Sequence, residues 1–137
     1  ITLEITETAA TSDPIATMDI LTRLRLKGFG LSLDDFGTGY SSLVALHRLP
    51  FSEIKVDRSF VAELPRSRQA AAIVKTVADL ARNMDLASVA EGVETEEQAV
   101  RLGELGIRLL QGYLFSRPLP ADRLKDWLRA QDRATVA

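Results

Sequence analysis

A chain of 137 residues is long enough for one domain of ordinary size, and 46% hydrophobic with 26% charged residues is a globular composition. A net charge of −2 makes no electrostatic case for DNA or for an acidic membrane surface. Zero cysteines exclude disulfides, thiolate metal sites and cysteine nucleophiles, and a single histidine excludes a multi-histidine zinc site within the chain. The lack of cysteine fits a reducing cytoplasm, which is the expected location. No apolar run reaches the roughly 18 residues of a membrane helix, so no direct membrane contact is expected from this region.

In chain order, residues 1–5 read as a first strand. The strand starts inside an apolar run and without an initiator Met, which reads as a piece of a longer protein. Asp13-Pro14 predicts a helix start, with Asp as the cap and Pro at the first helical position. Met18, Leu21 and Leu24, with Ile20, recur at helical spacing, and Lys27-Gly28 closes that helix. A second strand is expected over 30–33, then a short helix from Ser41 to His47 that stops near Pro50, then a third strand over 53–56. Ala70, Ile73, Val74, Val77, Leu80 and Met84 mark one face of a long helix over 68–84. A fourth strand follows over 87–90. Thr95 and Gln98 form a capping box for a helix running to Leu105, with Gly106 after it, and a fifth strand covers 108–110. Leu124, Trp127 and Leu128 give the last helix an apolar stripe, with Trp127 expected in the core and His47 exposed. Residues 1–130 are expected to form the domain and 131–137 a frayed tail.

Strand and helix therefore alternate five times with short connections. That pattern predicts an α/β fold of parallel strands and helical crossovers. Two architectures compete: an open doubly wound sheet, and a (β/α) barrel, of which five units are only a part because a barrel usually needs about 250 residues.

The charged residues bear on that choice. Glu4 lies near the end of strand one, and Asp34 and Asp35 close strand two. Lys55 and Asp57 flank the end of strand three, Glu91 and Glu94 follow strand four, and Gln111 follows strand five. In barrel enzymes this end of the strands holds the active site. A ring of carboxylates suits Mg²⁺ or Mn²⁺, which prefer oxygen ligands. Adjacent Asp34 and Asp35 point to opposite sides of a regular strand. If Asp35 already turns into the loop, both can face one site and serve two metals about 3.5–4 Å apart. Blander readings stand beside this one. Asp34 or Asp35 could cap the helix at Ser41, Lys55 could be a strand-end ion-pair partner of Glu91, and Gln111 could be a satisfied core amide.

Five stretches in order carry a resemblance: LEITET (3–8), LDDFGTGYSSL (33–43), IKVDRSFV (54–61), VAEGVET (89–95) and QGYLFSRP (111–118). They resemble the successive motifs of the EAL-domain family of cyclic di-GMP phosphodiesterases, over nearly the whole chain. The resemblance implies a partial TIM-type barrel, the C-terminal part of an EAL domain. It implies hydrolysis of cyclic di-GMP to linear pGpG with two divalent cations, Mg²⁺ or Mn²⁺. By the same resemblance Glu4 is a ligand of a first metal, Asp34 bridges two metals, and Asp35 and Glu91 hold the second. Lys55 orients or activates the attacking water, supplying positive charge or accepting its proton. Gln111 helps hold metal-bound water, and Glu7 steadies the DDFGTG loop, whose Gly37 and Gly39 give it freedom to move. Phe115, Ser116, Arg117 and Pro118 match a segment near the guanine base. Asp57 and Glu94 are grouped with the substrate as supporting hydrogen-bond acceptors rather than metal ligands.

One departure stands out. The tripeptide Glu-Ala-Leu that names the family does not occur, nor does the upstream segment with the family's metal-binding Asn. Truncation is the expected cause, because every motif downstream is intact, and such a piece alone is expected to be a poor catalyst. Two raw sheet edges would invite pairing with another chain, so a homodimer or higher oligomer is expected. Sensory or GGDEF-type domains are expected upstream in the full-length protein. The alternatives are an EAL-type receptor that binds the nucleotide without cleaving it, and a protein-interaction module.

Overall fold

A computed structural model of the chain describes residues 1–36 and 42–134. β1 (Thr2–Thr6), β2 (Gly30–Phe36), β3 (Glu53–Val56), β4 (Ala87–Ala90) and β5 (Leu109–Leu110) form one parallel sheet in sequential order. That order decides between the two architectures. A doubly wound sheet reverses its strand order at a switch point, whereas a (β/α) barrel adds each strand beside the last. The chain is an arc of five such units.

The sheet has two different faces. Leu31, Leu33, Ile54 and Val56 are fully buried on the face covered by helices. At roughly 1.5–3 kcal/mol for each fully buried large aliphatic side chain, this layer dominates the stability. On the other face the parallel register aligns Glu4 with Ser32, and Thr6 with Asp34. Because side chains alternate along a strand, Glu4, Ser32, Asp34 and Lys55 project from that second face.

The helices follow from local signals. α1 (Glu7–Ser12) begins at once after β1, capped by Thr6. α2 (Pro14–Leu26) starts as expected, with the Asp13 carboxylate accepting from the Ala16 N–H at 3.1 Å and Pro14 in the first turn. α3 (Ser42–Arg48) carries an exposed His47. α4 (Arg58–Glu63) was not legible as a helix, because its cap, Asp57, reads equally well as a site carboxylate. α5 (Arg68–Asn83) buries Ala70, Val74, Val77, Ala78 and Ala81 against β3, β4 and its helix neighbours. α6 (Glu96–Leu105) has both halves of the capping box, and Gly106 ends it at φ 97°, a left-handed position suited to glycine. α7 (Ala121–Ala134) completes the described chain.

Three apolar stripes are narrower than their spacing implies. On α2 only Leu21 and Leu24 pack, while Met18 and Ile20 are exposed, because the sheet and α1 cover one side of that helix. Ile73 likewise lies at the solvent edge of α5. Trp127 is half-buried rather than core, and Leu124 and Leu128 are exposed.

Candidate active site at the strand ends

Lys55 is the centre of the site. It stands on β3, the middle strand, and its side chain is only 3% exposed. Its ammonium lies 2.6 Å from a Glu4 carboxylate oxygen on β1, pairs with Glu91 just past β4, and lies 3.7 Å from an Asp34 oxygen on β2. An ammonium has three N–H donors, and these partners surround it on three sides. Burial alone would lower the Lys55 pKa. Its hydrogen bonds to Glu4 and Glu91, with the charges of Glu91 and Asp34, outweigh burial and push it up to about 12. The residue is therefore a fixed positive charge at neutral pH.

The backbone explains why these groups meet. The β1–β2–β3 register sets Glu4, Asp34 and Lys55 on one face. Glu91 is the first residue beyond β4, and its N–H still bonds to the Val56 carbonyl at 3.2 Å, so it leaves the sheet just past the Val56–Ala90 pair, within reach of the long Lys55 side chain. Asp35 resolves the choice posed by the adjacent aspartates. The β2–β3 register shifts between Leu33 and Phe36, and Asp35 has φ 57°. A bulge that re-aims a side chain is common beside active sites, and Asp tolerates this left-handed conformation better than most residues. The Asp35 N–H donates to an Asp34 carboxylate oxygen at 3.0 Å. Partial burial, then the charges of Asp34 and Asp57, raise the Asp35 pKa, while Lys55 opposes them. Asp35 thus lies within electrostatic reach of the same cluster.

The other expected residues occupy different roles. Glu7 is buried at the start of α1. The loop it was expected to steady, including Gly37 and Gly39, lies outside the described residues, as does Ser41. Asp57 caps α4, accepting from the Ser59 N–H at 2.9 Å and from the Ser59 hydroxyl. Partial burial raises its pKa, but the Ser59 and Arg58 hydrogen bonds outweigh that and hold it below the usual carboxylate value. Glu94 is exposed, and its N–H donates to the Gln98 side chain at 2.8 Å. Gln111 is exposed rather than a core amide, although its N–H bonds to the Ala90 carbonyl at 2.8 Å and fixes it at the strand end. Phe115 and Ser116 line an open groove of about 500 Å³ with Gln111, Gly112 and Trp127. Arg117 stacks over the Tyr113 ring at 4.5 Å, and Pro118 is exposed.

Two glycines that shape the site carried no functional reading in the sequence. Gly112 has Val93 backbone so close that an added Cβ would lie 2.1 Å from the Val93 oxygen. The Val93 N–H donates to the Gln111 carbonyl at 3.0 Å across that contact, which clamps the Glu91 loop to the Gln111 loop. Gly92 has φ 67°, next to Glu91, and a Cβ there would press on Arg58. The available signal was a glycine directly after a strand-end polar residue in both places. Ser32, fully buried on the same face as Asp34, has a hydroxyl with no hydrogen-bond partner among the described residues.

The donor set is all carboxylate oxygen, the chemistry a hard divalent cation takes. Its present arrangement does not hold one. Among the described residues no three acidic or histidine side chains surround a point that a metal ion could occupy, and the Lys55 ammonium stands at the focus instead. A concavity of about 710 Å³ lies on the outer surface by the α5 and α6 N-termini, away from this cluster.

An arc of parallel βα units with charged groups gathered at the strand ends defines a barrel-type domain with its site on the C-terminal face. The EAL domain family model matches residues 1–118, and the chain belongs to that family. It is 48% identical over 124 residues to the cyclic di-GMP phosphodiesterase RocR of Pseudomonas aeruginosa, covering 90% of this chain and 32% of RocR. Among solved structures, the PaMucR phosphodiesterase in its c-di-GMP complex superposes with a TM-score of 0.83 at 51% identity, covering 90% of this chain and 50% of that one. A manganese and cy-diGMP complex of Klebsiella pneumoniae BlrP1 superposes with a TM-score of 0.79 at 42% identity, covering 85% and 30%. The chain thus spans about a third of RocR and half of the PaMucR chain. No described helix is long and apolar enough to cross a membrane.

Proposed function

We propose that this chain supplies the catalytic rim of a phosphodiesterase that opens cyclic di-GMP to linear pGpG. The observation that carries the reading is the meeting of Glu4, Asp34 and Glu91, from separate strands, around the buried Lys55 at the strand ends. In the reaction a water oxygen bonds to phosphorus, the bond from phosphorus to the 3′ oxygen breaks, and that oxygen takes up a proton. Lys55 contributes positive charge beside the phosphate. Accepting the proton of the attacking water is the other role open to it.

Glu4, Asp34, Asp35 and Glu91 are the residues that would hold divalent cations, Mg²⁺ or Mn²⁺, once released from Lys55. Such ions, when bound, neutralise phosphate charge and make water more acidic. Gln111 and Ser116 line the groove where Phe115 and Trp127 offer aromatic surface to a guanine base. Arg117 and Pro118 are assigned to the same base, Asp57 and Glu94 to supporting hydrogen bonds beside the substrate, and Glu7 to steadying the DDFGTG loop. A homodimer or higher oligomer belongs to the same reading, and light scattering that finds only a monomer would remove it.

The test is turnover of cyclic di-GMP by the full-length protein with Mg²⁺ or Mn²⁺, with pGpG resolved by chromatography. Product formation that depends on Glu91 supports the proposal. A nucleotide receptor is the second reading, favoured by the absence of a closed cation site among the described residues. Tight binding by calorimetry without any product would select it.

A further inference from the structure

We infer that Gln98 is a positioning residue: its buried side-chain amide ties the loop that carries Glu91 and Glu94 to α4, the helix that follows the Lys55 strand. The inference rests on the phosphodiesterase reading and adds to it a residue outside the strand-end cluster. A capping box asks only that the Gln98 side chain accept from the Thr95 N–H. The bonds present go further. The Gln98 side-chain oxygen accepts from the Thr95 N–H at 3.1 Å and from the Glu94 N–H at 2.8 Å. Its side-chain nitrogen donates to the Val61 carbonyl at 3.3 Å, 37 residues away in sequence and in the last turn of α4. Helix ends leave N–H groups at the start and carbonyls at the finish without helical partners. One amide therefore serves the start of α6 and the end of α4 at once. Gln98 is 8% exposed and Val61 is fully buried, whereas a residue that only capped a helix could stay in water. Burial makes each of these bonds costly to lose. A second contact joins the same two segments, since a Cβ on Gly92 would lie 2.7 Å from the Arg58 Cβ at the start of α4. The loop is thus held against α4 at both ends of that helix. Only Asp57 separates α4 from β3. Fixing the loop to α4 therefore fixes Glu91 and Glu94 relative to the Lys55 strand, and the orientation of a bound phosphodiester depends on that spacing.

Gln98→Glu in the full-length protein separates this role from capping. Glutamate serves in a capping box as glutamine does and still accepts from Glu94 and Thr95, but its carboxylate has no proton to give Val61. A residue that only caps α6 would keep its turnover of cyclic di-GMP through this change. The tether predicts instead that kcat falls about tenfold or more with KM nearly kept. Leu102→Ala, which opens the core beneath the same helix and leaves these bonds intact, should retain kcat below its Tm. Full kcat in Gln98→Glu overturns the inference, and so does an equal loss of kcat in folded Leu102→Ala. Hydrogen exchange supplies a readout that needs no turnover. In Gln98→Glu the Gln98-position N–H, bonded to the Thr95 hydroxyl, should stay protected, while the Val93 N–H, bonded to Gln111, should exchange about tenfold faster. Unchanged protection at Val93 overturns the tether. The unsubstituted protein gives a measurement that does not depend on the variant folding: a side-chain amide proton of Gln98 should exchange slowly in ¹⁵N NMR, and exchange at the free-amide rate overturns the bond to Val61. If the unsubstituted protein turns over no cyclic di-GMP, the phosphodiesterase reading fails and the exchange measurements decide the tether.

Discussion

Leu33, in the middle of β2, is fully buried, whereas Leu124 and Leu128 on α7 are 43% and 50% exposed. Both regions carry an apolar code of the same strength. The difference is the number of covered sides. β2, β3 and β4 each have a strand on both edges and helices over one face. The segment from β5 through α7 has one strand neighbour and one open flank, with Leu109, Tyr113, Phe115 and Leu119 exposed along it. The charged groups follow the same division. Lys55 and Asp34 stand on the enclosed strands and Glu91 directly follows one, where a lower dielectric strengthens their pairing. Phe115 and Ser116 stand on the open flank, where a groove can admit a ligand.

The comparison can be broken most forcefully through activity. Glu91→Gln should lower turnover of cyclic di-GMP by about 10³-fold, roughly 4 kcal/mol, because it removes charge from the enclosed cluster. Phe115→Ala, on the open flank, should instead raise KM about tenfold with kcat nearly kept, as expected for loss of one stacked base contact. Equal effects of the two on kcat would erase the division.

Stability should divide along the same line. Leu33→Ala is expected to cost about 3 kcal/mol in urea unfolding, and Leu124→Ala no more than about 0.5 kcal/mol. A large cost at Leu124 would mean that α7 is covered after all.

Gly112→Ala sharpens the boundary between the regions. It forces apart the Val93 and Gln111 loops, and a loss of about 2 kcal/mol is expected from overpacking against rigid backbone. Cyclic di-GMP turnover should fall with it, because Glu91 and Gln111 are positioned by that contact.

The smallest effect expected is at the α4 cap. Asp57→Ala should cost about 1 kcal/mol at neutral pH. Because the folded-state pKa of Asp57 is depressed, its contribution is present above the unfolded value and is lost as pH falls through the folded value. The stability gap between wild type and variant should therefore close below about pH 4, read from urea titrations across pH.

Strand and helix identity were legible because they depend on near neighbours. Short apolar runs marked β3 and β4, Asp13-Pro14 marked the start of α2, and Thr95 with Gln98 marked the start of α6. Strand-end placement of Glu4, Asp34, Lys55 and Glu91 was legible for the same reason. α4 was missed because its cap, Asp57, serves equally as a site carboxylate, and α1 because its cap, Thr6, is also the last residue of β1.

What the chain's order of residues determined by itself was therefore local: five βα units, their caps, and a polar group at the end of each strand. The tertiary structure decided everything that needs residues distant in sequence to be brought together. It set strand order, left α7 half-covered, turned Asp35 through a bulge, and made glycine obligatory at position 112 through contact with Val93. It also placed Lys55 at the focus of Glu4, Asp34 and Glu91. Periodicity is a property of neighbours along the chain, whereas burial and charge pairing are properties of neighbours in space.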